Sequence, residues 1–409
     1  MVGGIIVSAF NALKVMNKKK SITCHAGARD GYYLSVALDR LGCLEKLVTD
    51  FYMPSLIGEF FKARGSSELH SSKTLSTPIK FIKRRFIKND FLSVDAALSK
   101  KAFEIANATG SNLFLTSYTA FEAFNMVKAK ELDISCDLFQ IHPHPLSIKK
   151  ILTDELLFTP EAKFSILAEH EMNTNTEMLY RLDQESKIAD RIVVASSFTK
   201  KTLTENGIHK EKITVIPYGV NSKLFPAKKT YSNKGKIKIL FLGQMVQRKG
   251  LSYLLESIKQ MDTSQVSLTI VGRGRMDEDL LNRYKSFVDF TILTNLNHQK
   301  LVECFHNHDV MVLPSLVEGF GHVILEAMSS GIPVICTENT AGPDVFLTGD
   351  EGFVVPIRDS DAISSSIEAM LIDKKKNEYM GRSAAKTARN FTWNQHIDSI
   401  QKFYIKGLK

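Results

Sequence analysis

The chain has 409 residues, 44% of them hydrophobic and 24% charged, a length and balance that give a globular protein of two domains with full cores. Its formal net charge of +9 points to an anionic partner without choosing among nucleic acid, membrane surface and phosphorylated metabolite. The five cysteines are odd in number and scattered with no C-x-x-C pair, which excludes zinc and redox motifs of that kind and reads as buried thiols in a reducing cytosol.

The N-terminal stretch MVGGIIVSAFNALKVMNKKK puts its apolar run before its basic tail, the reverse of a signal peptide, and Asn11 and Lys14 interrupt it. No segment reaches the roughly 18 consecutive apolar residues of a membrane-spanning helix. The expectation is a cytoplasmic protein, soluble or peripheral on the inner membrane face. Strand-length apolar runs then alternate with helical patterns: SITCHAG (21 to 27), NLFLTSY (112 to 118), CDLFQIH (136 to 142), RIVVAS (191 to 196) and ITVIPYG (213 to 219). This alternation predicts βα units and a parallel sheet with helices on both faces.

Between these runs three stretches stand out. HAGARDGYY (25 to 33) follows the first strand, with Gly27, Arg29 and Gly31 in a loop that can reach a cleft. PIKFIKRRFIKNDF (78 to 91) is the strongest basic patch, with Ile79, Ile82 and Phe86 on one helical stripe and Lys80, Arg84 and Lys88 on another. It suits a peripheral helix on an anionic membrane, and equally a helix packed on its own domain with a basic outer face. No aromatic stacking platform or zinc module accompanies it, so nucleic acid is not expected. FQIHPHPLS (139 to 147) ends a strand with His142 and His144 around a proline, which holds both imidazoles near the strand's carboxyl end. With no third ligand at recognisable spacing, zinc is not expected there.

PAKKTYSNKGK (226 to 236) has the composition of an exposed connector, so the boundary between a first domain (1 to 225) and a second (226 to 388) falls at its start. The same rhythm restarts with KIKILFLG (236 to 243), VSLTIVGRG (266 to 274), DFTILTNL (289 to 296), DVMVLPS (309 to 315), IPVICT (332 to 337) and GFVVPI (352 to 357). Residues 389 to 409 form a last helix with the only tryptophan near its start. Two doubly wound sheets create a cleft between their carboxyl edges, where open α/β sheets bind ligands.

Three motifs lie on that edge of the second sheet. GQMVQRKG (243 to 250) joins Gly243 and a helix start to two cations, Arg248 and Lys249, a combination that accepts phosphate. IVGRGRMDEDL (270 to 280) has Gly272 and Gly274 at a strand-to-helix turn; Asp277 and Asp279 read as acids of a first helical turn rather than a metal pair. EGFGHVILE (318 to 326) places Glu318 in a loop and Glu326 one turn inside a helix that starts near Gly321 or His322 and stops at Gly331. The N–H groups of Phe320, Gly321, His322 and Val323 then point between two carboxylates, complementary to the phosphates and hydroxyls of a sugar nucleotide. Taken alone, the pair also fits an acid at a helix start and a solvated helix residue.

EGFGHVILEAMSSGIPVI resembles the E-x7-E signature of the retaining GT-B glycosyltransferases of glycosyltransferase family 4, with its Ala-Met, Gly and Pro-Val continuation. FLGQMVQRKG is similar to that family's Arg-Lys diphosphate loop, and ADRIVVASSFTKKTL…ITVIPYGV (189 to 220) to the end of its first domain. The resemblance implies two Rossmann-like domains facing across a cleft, with a nucleotide-diphosphate sugar on the second and a glycan or lipid-linked acceptor on the first. It assigns Arg248 and Lys249 to the diphosphate, Glu318 to the donor sugar, the backbone at Phe320 to His322 to its hydroxyls or phosphate, and Glu326 to the ribose, with Gly243, Gly272, Gly319 and Val323 also on the donor side. His142 takes the place of the first-domain active-site histidine, with His144 as its rival, and Gly27 and Arg29 fall on the acceptor side. It further implies hexosyl transfer with retention of configuration and no metal or other cofactor. The adjacent glycines usual in the first loop are here four residues apart, at Gly27 and Gly31. A sugar-nucleotide epimerase of the same fold and a non-catalytic partner subunit are the alternatives.

Overall fold

The computed structural model describes residues 19–28, 30–53, 65–77, 91–231, 235–274 and 277–407. The N-terminal apolar run, Arg29 and the basic residues from 78 to 90 lie outside the described residues. Seven strands form the first sheet: β1 (Ser21–His25), β2 (Leu44–Thr49), β3 (Thr74–Ser76), β4 (Asn112–Thr116), β5 (Cys136–Gln140), β6 (Arg191–Val194) and β7 (Ile213–Val215). Six form the second: β8 (Ile237–Leu242), β9 (Val266–Val271), β10 (Phe290–Leu293), β11 (Val310–Leu313), β12 (Val334–Thr337) and β13 (Gly352–Val355).

The orders are β3-β2-β1-β4-β5-β6-β7 and β10-β9-β8-β11-β12-β13. Neighbouring strands run parallel, from β1 beside β4 in the first sheet to β8 beside β11 in the second. Parallel strands need helical crossovers, which cover both faces, and this is why β1, β4, β5 and β11 are buried along their whole length. Each sheet reverses its strand order once, at β1/β4 and at β8/β11. The loops that leave those strands diverge and open a crevice at the carboxyl edge.

Two segments tie the halves together. The helix Pro145–Phe158 follows β5, yet its Ile148 and Leu152 share a core with Ile239, Leu251 and Leu254 of the second half. The C-terminal helix Trp393–Lys406 begins with a Thr392–Gln395 capping box and lies on the first half. Trp393 stacks on Tyr33 with ring centroids 4.2 Å apart, and the Tyr404 hydroxyl reaches Ser21 Oγ at 2.9 Å.

Candidate active site

The loops at both switch points line one open cavity of about 530 Å³, ordinary for a small-molecule site. The first half supplies His25 at the end of β1 and Asp30 beyond it, Tyr118 after β4, and Ile141 and His142 after β5, together with Glu169, His170 and Glu171. From the second half come Gly243, Arg248 and Lys249 after β8, and Val317 to Val323 after β11.

The Arg-Lys turn is built on a backbone conformation that glycine alone takes easily. Gln247–Lys249 forms a single 3-10 turn closed by Gly250 at φ +70°, which also caps the helix Leu251–Lys259. A Cβ on Gly250 would sit 1.9 Å from the Pro314 carbonyl oxygen, so this turn and the loop after β11 pack backbone to backbone. They are also hydrogen-bonded: the Leu316 N–H donates to Arg248 O at 2.9 Å, and Arg248 Nη1 donates to Val317 O at 3.2 Å. The cations and the glutamate loop are thus one unit.

Glu318 lies at the centre of that unit, 9% exposed. Lys249 Nζ forms a short ion pair with its Oε1, Ser315 Oγ donates to it at 3.1 Å, and Arg248 Nη1 stands 3.7 Å away. Burial alone would raise the Glu318 carboxyl, but Lys249 and Arg248 overrule it and hold the group below its usual range, so it is an anion at neutral pH. Arg248 is depressed by burial and raised further by Glu318 and by Glu169, whose Oε2 accepts from Arg248 Nε at 3.0 Å. The net shift is upward.

Glycine at 321, φ +85°, turns the chain into the helix His322–Ser329, as the sequence pattern predicts. Gly319 to Val323 all line the cavity. A helix start leaves its first N–H groups without intrahelical partners, so this edge carries anion donors next to the Glu318 acceptor. The His322 ring stacks on Tyr218 at 4.7 Å, 5.9 Å from Trp393, which closes that end of the cavity with aromatic surface. Glu326, partly buried on the next helical turn, is not among the lining residues; burial pushes its carboxyl up to about 7.

The two histidines after β5 separate. His142 lines the cavity with its ring 4.9 Å from that of Tyr118, and its Nδ1–H donates to Pro143 O at 2.8 Å. His144 is fully buried outside the lining and caps the helix Pro145–Phe158 by accepting from the Leu146 N–H. Its Nε2 lies 3.3 Å from Asp183 Oδ1, and burial pushes its pKa down to about 4. The proline between the histidines begins the reversal that sends one side chain to the cleft and the other to the core.

Other expected residues act through the backbone. An added Cβ at Gly272 would meet Gly243 O at 1.8 Å, so this glycine lets the loop after β9 pack against the loop that carries the cations, without lining the cavity itself. Gly27, at φ +92°, donates its N–H to Asp50 Oδ1 at 2.9 Å. The lining residues there are His25, which ends β1, and Asp30 in the loop, with His25 Nε2 and Asp30 Oδ1 3.7 Å apart. Asp277 accepts from the Phe164 and Ser165 N–H groups and caps a helix of the first half. Among the described residues no three His, Cys, Asp or Glu side chains are grouped to hold a metal ion. Pattern reading missed Tyr118, held at φ +76°, and the acids Glu169 and Glu171. The run EHE at 169 to 171 was their visible signal, but no strand or glycine beside it marks it as an edge residue set.

The fold is GT-B: two Rossmann-like α/β domains whose strand edges face across a cleft. Sucrose-phosphate synthase from Thermosynechococcus elongatus superposes with a TM-score of 0.66 at 17% identity, over 95% of this chain and 99% of that one. Anabaena HepE, solved in complex with UDP and glucose, superposes with a TM-score of 0.60 at 15% identity, over 95% and 99%. Residues 224–387, in the second half, match the family described as Glycosyl transferases group 1. The capsular polysaccharide biosynthesis glycosyltransferase CapM of Staphylococcus aureus is 27% identical over 241 residues, 54% of this chain and 62% of that protein. The chain spans about three-fifths of the length of such curated relatives, 59% and 62% for two of them.

Proposed function

We propose that the protein is a retaining hexosyltransferase that moves a sugar from a nucleotide-diphosphate donor to a glycan or lipid-linked acceptor. The observation that carries this reading is the convergence of Arg248, Lys249 and the ionised Glu318 with the helix start Gly319–Val323 on one cavity. Two fixed cations neutralise a diphosphate as the anomeric C–O bond breaks, which is electrostatic stabilisation of the leaving group. In this reading the cations do so without a metal. Glu318 accepts from the sugar hydroxyls, and Glu326 accepts from the ribose, which extends past the diphosphate along the helix His322–Ser329. The acceptor enters from the side of His142 and Tyr118, with its nucleophilic oxygen on the same face as the departing phosphate, so that configuration is retained.

HepE holds UDP and glucose, and CapM is described by capsular polysaccharide biosynthesis; both descriptions support a nucleotide sugar and a glycan product here. No described helix is long and apolar enough to cross a membrane. A lipid-linked acceptor would bring the protein to the inner membrane face, and sedimentation with anionic vesicles at low and high salt tests that attachment. The reading itself is tested by a thermal-shift screen of UDP-, GDP- and ADP-sugars followed by transfer assays with and without EDTA. One donor class should raise the unfolding temperature and turn over equally in both; no shift with any donor removes the reading.

A further inference from the structure

The helix Pro145–Phe158 buries a carboxylate completely, at Glu155. Carboxylates are almost never fully buried unless paired, and this one has four donors. Glu155 Oε1 accepts from Thr159 Oγ1 at 2.9 Å, Gln247 Nε2 at 2.8 Å and Tyr253 OH at 2.8 Å; Oε2 accepts from Arg358 Nε at 2.7 Å. Only Thr159 comes from the same half of the chain. The other three belong to the Arg-Lys turn, the helix behind it and the loop after β13.

Gln247 is the informative partner, because it immediately precedes Arg248. Its side chain is shared between Glu155 and Ser252 Oγ, and its N–H donates to Ser165 Oγ of the first half at 3.2 Å. The first residue of the turn is therefore fixed through both side chain and backbone by the opposite domain. A buried ion pair is weak support for stability, since apolar replacements of similar volume often do as well. What an apolar residue could not do is aim Gln247.

We infer that Glu155 is a positioning residue for the diphosphate turn: from outside the cavity it sets Gln247, and through Gln247 the directions in which Arg248 and Lys249 leave the chain. What the turn binds rests on the function proposed above; what holds the turn does not. The experiment is amide hydrogen exchange and nucleotide titration on the full chain with Glu155→Gln and, should that variant fold poorly, Gln247→Leu. In either variant the Lys249 and Gly250 amides, bonded to Val246 O and Gln247 O, should exchange at least about tenfold faster. The preference for UDP over UMP, GDP over GMP or ADP over AMP should fall at least about fivefold, with monophosphate affinity unchanged, since only the outer phosphate needs both cations. Wild-type exchange at the turn, or an equal loss for mono- and diphosphate with a lower unfolding temperature, would overturn the inference and leave a scaffold role. If the wild type binds none of these nucleotides, the donor reading falls, and exchange at the turn alone decides the role of Glu155.

Discussion

Lys249 and Glu318 are each other's condition. Both are largely buried: removing Glu318 takes away the carboxylate paired with Lys249, removing Lys249 leaves Glu318 with Arg248 at 3.7 Å as its remaining cation, and breaking a buried pair in this way is strongly destabilising. Lys249→Ala should therefore lower stability by roughly 2 to 4 kcal/mol as well as reduce turnover more than about a hundredfold, whereas Lys249→Arg should recover stability before activity. Chemical denaturation and steady-state rates measured side by side separate the two effects. Glu326 gives a pH prediction of opposite character. Its carboxyl keeps its proton in the folded chain up to about 7, against an ordinary value of 4.5, so the native state binds the extra proton and stability falls as pH rises through that window. Glu326→Gln has no proton to lose. Its stability relative to wild type should rise by on the order of 2 kcal/mol between pH 4.5 and 7 and then level off, as read by urea midpoints. A constant difference across that range would show that Glu326 is solvated.

At the scale of elements, the site is a set of close backbone approaches. Gly319 makes one of those that join the halves: its carbonyl accepts from Ser196 Oγ at 2.7 Å and Thr199 Oγ1 at 3.2 Å, and a Cβ on it would lie 2.6 Å from Ile141 O. Gly319→Ala should push the glutamate loop from the β5 edge, weaken donor affinity at least about tenfold and leave each sheet folded, an outcome that circular dichroism with calorimetric titration can check. This element scale is also where the sequence was most legible. Strand-to-turn-to-helix order, the helix after Gly321 and the Arg-Lys corner all follow from periodicity and glycine placement, and the structure has them at those positions. Two strands escaped. β2, LEKLVT, mixes Glu45 and Lys46 into its apolar run, and β3 is three half-exposed residues at the sheet edge. Neither carries the buried strand's continuous apolar signal. Likewise His144 could not be told from His142 by spacing, because the difference is the turn between them rather than the residue type.

The whole molecule is two sheets that borrow from one another. The first half lends the helix with Ile148 and Leu152 to the second core, and the second half returns the C-terminal helix, whose Phe403 O accepts from Arg191 Nη1 at 2.9 Å. Asp344 of the second half accepts from the Ser197 N–H and so caps a first-half helix. Such interlocking is invisible to local patterns, since it joins residues far apart in the sequence, 147 positions for Ser197 and Asp344 and 212 for Arg191 and Phe403. It predicts one cooperative unfolding transition rather than two, and deletion of residues 391 to 409 should destabilise the first half with the second, seen as a single downshifted calorimetric peak. The proposed function puts a nucleotide-diphosphate sugar on Arg248, Lys249 and Glu318 in the cleft between the sheets. Titration calorimetry of wild type and the folded Lys249→Arg and Glu318→Gln variants with the best sugar nucleotide tests it most directly. Wild type should show saturable one-to-one binding that weakens at least about tenfold in both variants; equal affinity in all three would contradict a donor held by these residues.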